Sequence, residues 1–431
     1  MNAAHPPRRT DVVIVGGGIV GCATAYYLAR RGRTVQILER GLVGSEQSSR
    51  AWGLLRQQGR HDAETPLAAE AARMWPGLPQ ELGADIELVQ RGILLPAESE
   101  ADEARMVDGE RASRAHGVDS RLLGPAAVAS LIPDLGGAWR AGLFTPGDGH
   151  VEPVKATRAY AAAARRLGVR IEEGTPACGI ETTGGAATGV VTAQGIYRGD
   201  AILCAAGVGA AELSRTLGLA LPIEIVRAPV SQTHPARRTT DIAVWAPHAA
   251  FRPRADGTYY LGNGYRGIDA EYDFTPDMFR HLRHFLPTYA AHRDILRLHL
   301  GRPFLEAMRR RVRPDARFAP WSEPAVNARL VAAYERGAYD LLPHLAARGI
   351  ARSWAGRIDA TPDLIPILGR APGIDRYYVA AGFNGHGLAL SPAVARLLCE
   401  LIVDGRPSLE LHRFRIERFA EGRLERAGGA L

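Results

Sequence analysis

A two-domain α/β fold is predicted by three features of the chain. The first is the opening run Asp11–Gly21, DVVIVGGGIVG. Here an apolar strand, Val12–Val15, meets Gly16, Gly18 and Gly21 in a G-x-G-x-x-G pattern, and a helix follows over Ile19–Arg30. The second is the strand Thr34–Leu38, which closes on Glu39 at about the twenty-residue spacing a dinucleotide-binding unit requires. The third is that strand–helix pairs return near residues 148–206 and again near 377–403, with a strand-rich stretch between them. The fold is therefore read as a discontinuous Rossmann-like nucleotide-binding domain plus a second α+β substrate domain with a mixed or antiparallel sheet. The first domain is drawn from residues 1–80, 148–218 and 345–431, and the second from 81–147 and 219–344.

Each element has a local reason. In the opening unit the first glycine allows a tight turn, and the second lets the backbone approach a pyrophosphate. The third lets helix pack on strand, the helix N-terminus faces the anion, and Glu39 can accept from a ribose hydroxyl. A polar loop, SEQSSR, leads to an Ala-rich helix over Ala63–Leu82, a strand over Leu88–Leu95 and a charged helix over Ala101–His116. Leu143–Pro146, the helix Val154–Leu167 and the strand Val169–Glu173 return the chain to the first sheet. Short antiparallel strands are expected at Ile180–Thr183, Gly189–Thr192 and Gly195–Arg198. A buried strand, Ala201–Ala206, precedes a helix over Gly207–Leu217. Alternating strands at Ile223–Val230, Ile242–Trp245 and Thr258–Leu261, with a helix over Phe274–Phe285, form the second domain. The chain closes with Tyr377–Gly382, a glycine-rich loop and a helix over Pro392–Val403, with Pro392 in its first turn and Ser391 as cap. A nucleotide domain assembled from separate segments is unusual for a nicotinamide dehydrogenase and points to a flavin.

Composition narrows the class. The 431 residues carry a formal net charge of +7, almost all from arginine, since Lys155 is the single lysine. That skew is read as a GC-rich bacterial genome, because no basic block is interleaved with aromatics as nucleic-acid binding would need. The densest cluster, Arg309–Arg313, is read as a solvated or anion-facing edge. No apolar run approaches a membrane span, and the basic lead MNAAHPPRRT has no apolar core, so a cytoplasmic protein is expected. Cys22, Cys178, Cys204 and Cys399 are scattered without a CxxC pair, so neither a metal site nor a disulfide framework is expected.

The loop Gly382–Pro392, GFNGHGLALSP, places backbone N–H groups and a helix N-terminus where they can support an anion. For a flavin that anion is the N1–C2=O edge of the reduced ring. With the opening motif this gives a specific resemblance. The chain resembles the D-amino-acid oxidase superfamily of FAD enzymes, on the sarcosine, dimethylglycine and glycine oxidase branch. Four blocks carry it in order: VVIVGGGIVG with Glu39 and Arg40; GSEQSSRAWGLLR at Gly44–Arg56; AILCAAG at Ala201–Gly207; and RSWAGRIDATPDLIPILGR with GFNGHGLALSP at Arg352–Pro392. DGHVEP at Asp148–Pro153 is similar to the family's turn before a helix.

The resemblance implies that Gly16, Gly18, Gly21 and Glu39 hold the ADP half of FAD, with Ile19, Val20 and Arg40 beside them. Ser48, Ser49, Arg50 and Gly53 resemble the loop that meets pyrophosphate and flavin. Ala205, Ala206, Gly207 and the backbone at Cys178 join the cofactor set, Cys178 near the adenine. Gly356, Asn384, Gly385, His386, Gly387 and Leu388 fall near the flavin. The catalytic candidates are Arg56, Tyr260, Arg357 and His386.

Two departures from the family pattern bear on chemistry. Tyr260 stands where monomeric sarcosine oxidases carry a lysine that assists oxygen reduction, which favours an acceptor other than oxygen. Gly356 replaces the cysteine that some members link to flavin, so FAD is expected to be non-covalent. The carboxylate-clamping arginine of glycine oxidases matches Ile358, with Arg357 one residue early and turned by one strand step. Arg252, Arg254, Arg266 and the 309–313 cluster are alternative clamps. Tyr259, Tyr260, Tyr265, Trp52 and Trp354 form either an aromatic wall or core packing.

The function expected is an FAD-dependent amine oxidoreductase acting on a secondary or N-alkylated amino acid or a related small amine. Hydride would pass to flavin N5 and the imine would hydrolyse, with oxygen or another carrier as acceptor. The alternatives are oxidation of a D-amino acid or 2-hydroxy acid, or a partner-dependent electron-transferring subunit of a hetero-oligomer.

Overall fold

A computed structural model describes residues 9–267, 270–293, 296–312 and 323–425. Most of the basic lead lies outside the described residues, as do Arg313 and the side chains of Arg310 and Arg311.

The apolar opening run forms the strand Thr10–Val15 at the centre of the first sheet. It is flanked in parallel by Val35–Leu38 and Gly195–Cys204. Arg170–Glu172 and Tyr377–Ala381 extend the parallel set, and Ile367–Arg370 closes one edge antiparallel. Strands such as Val12–Val15 are apolar throughout because helices cover them. Ile19–Arg30 packs against Gly387–Val403 and Pro153–Arg166, and its residues Ile19–Leu28 are all buried. Ala177–Thr183 and Ala186–Thr192 hang from Gly195–Cys204 as an antiparallel extension. The two expected strands at 195–198 and 201–206 are thus one continuous strand.

The second sheet is mixed and has ten described strands. Its order runs from Leu296–His299 through Ala270–Asp273, Glu224–Thr233, Tyr259–Asn263 and Ala249–Pro253. It continues through Ala243–Trp245, Ile93–Ala97 and Ala141–Thr145 to Arg121–Leu123. Ile350–Ala360 pairs antiparallel along the whole of Glu224–Thr233, from Glu224↔Ala360 to Thr233↔Ile350. The sequence boundary at residue 345 assigns this strand to the nucleotide domain. Its hydrogen bonds lie instead in the second sheet, and the chain re-enters the first sheet only after Ala360.

Four other expectations differ from the structure. The strand expected at Leu88–Leu95 is Ile93–Ala97, with only an isolated bridge at Val89. The helix expected over Phe274–Phe285 is Met278–Ala291, because Ala270–Asp273 is held as a strand and Pro276 then turns the chain. The helix expected over Gly207–Leu217 is a short 3-10 turn, Gly207–Gly209, followed by Ala210–Arg215. The last helix begins at Gly387, five residues before Pro392, so Pro392 lies inside it and Ser391 is buried rather than a cap. A proline there removes one i→i−4 hydrogen bond, but the preceding turn still forms. The consequence is that the helix N-terminus sits at the glycine-rich loop itself.

One buried ion pair fastens the C-terminal segment to the turn that follows Ala360. Arg418 Nε donates to Asp363 Oδ2 at 2.8 Å and Nη2 to Oδ1 at 3.0 Å. Its remaining donors reach the carbonyls of Phe414 and Ile365 at 2.9 and 2.8 Å. Both side chains are withdrawn from solvent, with exposures of 2% and 0%. Arg418→Ala, which leaves Asp363 buried without its cation, is expected to lower unfolding stability by about 3–5 kcal/mol in denaturant titration. A loss below about 1 kcal/mol would show that the pair behaves as a solvated one.

Candidate functional site

The first strand ends at Gly16, where φ is +112° and a side chain would collide with the Ala205 carbonyl. A side chain at Gly21 would collide in turn with the Gly16 carbonyl, so this glycine brings helix onto strand. Glu39 Oε2 accepts from the Gly17 amide at 2.6 Å and Oε1 from the Gly41 amide at 2.7 Å. Each carboxylate oxygen keeps a second lone pair. Ser48 Oγ accepts from the Ile19 amide at 2.9 Å, satisfying a first-turn N–H of the helix Ile19–Arg30.

Two cavities meet at this helix start. The smaller, about 120 Å³, is bordered by Gly16, Glu39, Arg40, Pro176, Ala177 and Ala206. The larger, about 240 Å³, runs from Ile19 and Val20 past Arg50 and Gly53 to the loop Phe383–Leu388. Gly18, Gln47, Ser48, Ala205 and Gly207 border both. An elongated space of two lobes with a helix N-terminus at its waist fits a dinucleotide whose pyrophosphate lies at that waist.

Most of the expected cofactor residues are therefore brought together, and three are not. Gly21 packs behind the turn. Ser49 Oγ donates to the Glu46 carbonyl at 3.0 Å and borders neither lobe. Cys178 lies one residue beyond the lining at Ala177, its thiol turned to the Pro176 carbonyl at 3.7 Å. Gly356 does border the larger lobe, and a Cβ there would come 3.1 Å from Arg50 Cβ.

The far end of the larger lobe holds a cluster of buried charges. The Arg56 guanidinium lies 4.5 Å from the Trp245 ring centroid. Burial and the Arg60 charge push Arg56 down to about 9, leaving it cationic at neutral pH. Arg56 Nη1 and Arg60 Nη1 are both buried without a hydrogen-bond partner among the described residues. Asp148 is fully buried beneath them; it accepts from Gln57 N at 2.8 Å and Gln57 Nε2 at 3.0 Å. Burial raises Asp148 to about 7.

His386 stands opposite. Its Nδ1 is 3.0 Å from Oε2 of Glu64, whose exposure is 0%. Burial pushes Glu64 up, but the hydrogen bond from His386 and the charge of Arg60 help draw it down, so it is ionised. Burial, with the charges of Arg60 and Arg56, brings His386 down to about 4. The imidazole is neutral at pH 7, and a proton on Nδ1 directed at Glu64 leaves Nε2 as a lone-pair acceptor. Nε2 is buried and without a partner among the described residues.

The loop carrying His386 is strapped by Asp359, whose exposure is 1%. Its Oδ2 accepts from the Gly382 amide at 2.7 Å and its Oδ1 from Gln47 Nε2 at 2.7 Å. Asn384, at φ +52°, accepts from the Thr361 amide at 2.8 Å and donates to the Gly382 carbonyl at 2.7 Å. Burial raises Asp359 to about 6.

Tyr260 is the clearest departure among the catalytic candidates. It does not border either cavity; its ring lies 4.6 Å from both Arg252 and Arg254 and 5.1 Å from Trp354. Glu152 holds both arginines, each at 3.1 Å. The tyrosine is packed in a cation–aromatic sandwich, which is why a strand alignment alone misplaced it. Arg266 is likewise engaged, with Glu98 at 2.9 Å and Asp102 at 2.6 Å. Arg309 lies on an exposed helix. Among the described residues, Arg252, Arg254, Arg266 and Arg309 do not border the larger lobe. Arg357 does border it, with Nη1 3.8 Å from Glu46 Oε1. Of the expected aromatic wall only Trp52 lines the lobe, with Trp245 beside it. Sequence reasoning missed Gln47, Arg60, Glu64, Trp245 and Asp359. Residues 56–64 are irregular in structure, so no periodicity marked Arg60 or Glu64 as inward-facing.

The chain is similar over nearly its whole length to known flavoenzymes. It is 29% identical to the sarcosine oxidase subunit beta of Rhizobium meliloti (strain 1021), covering 99% of this chain and 92% of the relative. It is 28% identical to the glycine oxidase of Bacillus licheniformis, covering 95% and 98%. The crystal structure of L-proline dehydrogenase from P. horikoshii superposes with a TM-score of 0.80 at 25% identity, covering 97% and 99%. Residues 11–401 match the model of the DAO family, described as FAD dependent oxidoreductase, and the chain belongs to that family.

Proposed function

We propose that this FAD-dependent oxidoreductase oxidises a secondary or N-alkylated amino acid. The observation that carries the proposal is a set of buried polar atoms at one end of the larger lobe. Arg56, Arg60 and His386 border that lobe, and two guanidinium donors, Arg56 Nη1 and Arg60 Nη1, and one imidazole acceptor, His386 Nε2, have no partner among the described residues. That set is complementary to a carboxylate and an amine N–H carried by one small molecule.

FAD, held by the glycine turn, Glu39 and the loop Phe383–Leu388, would supply the two-electron oxidant for the substrate. The chain positions the reactant. Arg56 and Arg60 hold the carboxylate, with Trp245 stacked beneath Arg56. His386 Nε2 accepts from the amine, and Glu64 fixes the ring in that orientation. The two arginine charges disfavour an ammonium at this end, so the amine is bound neutral with its lone pair available. The apolar side chains of Val226, Ala228, Val230 and Ala270, from the second sheet, give an alkyl or ring substituent on nitrogen a surface to cover. Backbone amides at the start of the last helix, around Gly387 and Leu388, offer partial positive charge to the reduced ring. Two relatives are named for secondary amino acids, sarcosine and proline, which supports the substrate class.

Anaerobic bleaching of the bound flavin tests the proposal. N-methyl amino acids or cyclic imino acids are expected to bleach it, and 2-hydroxy acids are not; bleaching by a 2-hydroxy acid alone would overturn the assignment. Readmitting air then distinguishes oxygen from another carrier as acceptor. Arg56→Ala is expected to slow flavin reduction about a hundredfold while FAD affinity changes by less than about threefold. Unchanged reduction would remove Arg56 from the chemistry. With glycine at position 356, acid precipitation is expected to leave the flavin in the supernatant, and yellow pellets would show a covalent link elsewhere.

A further inference from the structure

The chain's positive charge is concentrated in one place. Residues 278–312 contain eight arginines against Asp294 and Glu306, which leaves +6 of the net +7 in that stretch. The same stretch holds most of the large apolar side chains that the fold leaves in solvent. On the helix Met278–Ala291 these are Phe279, Leu282 and Leu286, spaced i, i+3 and i+7. On the helix Arg302–Val312 they are Leu305, Met308 and Val312, with the same spacing. Leu298 and Leu300 lie between the helices. Exposure reaches 66% at Phe279, 65% at Leu305 and 77% at Val312.

The two helices meet at Phe274, whose ring lies 5.4 Å from Phe279 and 6.1 Å from Phe304. Their inner sides are occupied: Met278 and Phe285 pack on Tyr272, Val226 and Ala270. The outer sides are apolar ridges with arginines set among them. Arg280, Arg283, Arg293, Arg297, Arg302 and Arg309 are all exposed. Among the described residues none of these six forms an ion pair, whereas arginines such as Arg30, Arg31 and Arg198 elsewhere on the surface do.

We propose that this face docks the enzyme on an anionic lipid surface. Every exposed charge described on residues 278–312 is an arginine, so the face fits an anionic partner. Arg280 and Arg283 follow Phe279 and Leu282 in the chain, and Arg309 follows Met308, so apolar and cationic groups share these helices. A bilayer accepts that pattern. The apolar side chains enter the boundary of the acyl region while the guanidinium groups turn outward to headgroup phosphates. No helix of the described residues is long and apolar enough to cross a membrane. Val226 and Ala270, against which the helix Met278–Ala291 packs, also wall the larger lobe, so docking sets the substrate cavity against the membrane.

Vesicle flotation of the purified holoenzyme tests this. Vesicles of mixed phosphatidylglycerol and phosphatidylcholine are expected to carry at least about tenfold more protein than phosphatidylcholine alone, and high salt to weaken the binding. The double variant Leu286→Glu/Leu305→Glu is expected to lose about tenfold in binding while keeping its flavin absorbance and amine-dependent bleaching. Arg297→Glu/Arg309→Glu is expected to do the same. Wild-type protein that ignores both vesicle types, or double variants that float as well as wild type, would overturn the proposal. So would a wild-type protein that ignores vesicles but forms a soluble oligomer that these variants dissociate, which would mark the face as a protein interface.

Discussion

One buried carboxylate holds the functional end of this molecule together. Asp359 stands at the end of the long strand Ile350–Ala360 and accepts from the Gly382 amide and from Gln47 Nε2. Its own carbonyl accepts from the Asn384 amide at 3.1 Å. It thus ties the strand of the second sheet to the loop that precedes the last helix and to the short helix Gln47–Arg50. Gly382, Asn384 and Gly385 all have positive φ, and such a loop keeps one shape only where its surroundings over-determine it. A carboxylate buried to this depth is costly unless its hydrogen bonds are made. The same bonds that satisfy Asp359 therefore fix the cavity wall.

From that tie the division of labour between the two sheets follows. In the proposed function the first sheet presents a helix N-terminus, Glu39 and the glycine turn to the nucleotide. The second contributes the apolar wall that faces the reacting end, and the strand Ile350–Ala360 runs between them. The buried cluster of Arg56, Arg60, Asp148, Glu64 and His386 is assembled from three separate chain segments. Since the family's fold supports several substrate classes, that cluster rather than the fold carries the assignment. Its signs matter: two cations with unsatisfied donors face one neutral acceptor, an arrangement unsuited to a free ammonium and suited to an amino acid bound as the neutral amine.

The parts legible in sequence are those whose physics is local. The glycine turn, its strand and Glu39 announce themselves because strand, turn, helix and acid follow one another within 30 residues or so of chain. The order of blocks from Asp11 to Pro392 fixed the family for the same reason. The start of the last helix was misplaced because Pro392 looks like a first-turn residue, whereas Gly387–Ser391 already form a turn ahead of it. Tyr260 was placed by strand alignment, which says nothing of the two arginines that sandwich it. Arg60 and Glu64 lie in an irregular segment with no period to read, and Trp245 belongs to a strand buried on both faces. Asp359 carried no signal beyond its motif, because its partners lie 312 residues upstream and 23 downstream.

The measurement that tests this account most directly is the FAD dissociation constant of Asp359→Ala, with Asp359→Asn beside it. If Asp359 ties the three segments that shape the cradle, the alanine variant weakens FAD binding by at least about tenfold, and the asparagine variant, which keeps an acceptor, by less. A folded Asp359→Ala protein that binds FAD as tightly as wild type would show that the cradle holds its shape without this carboxylate.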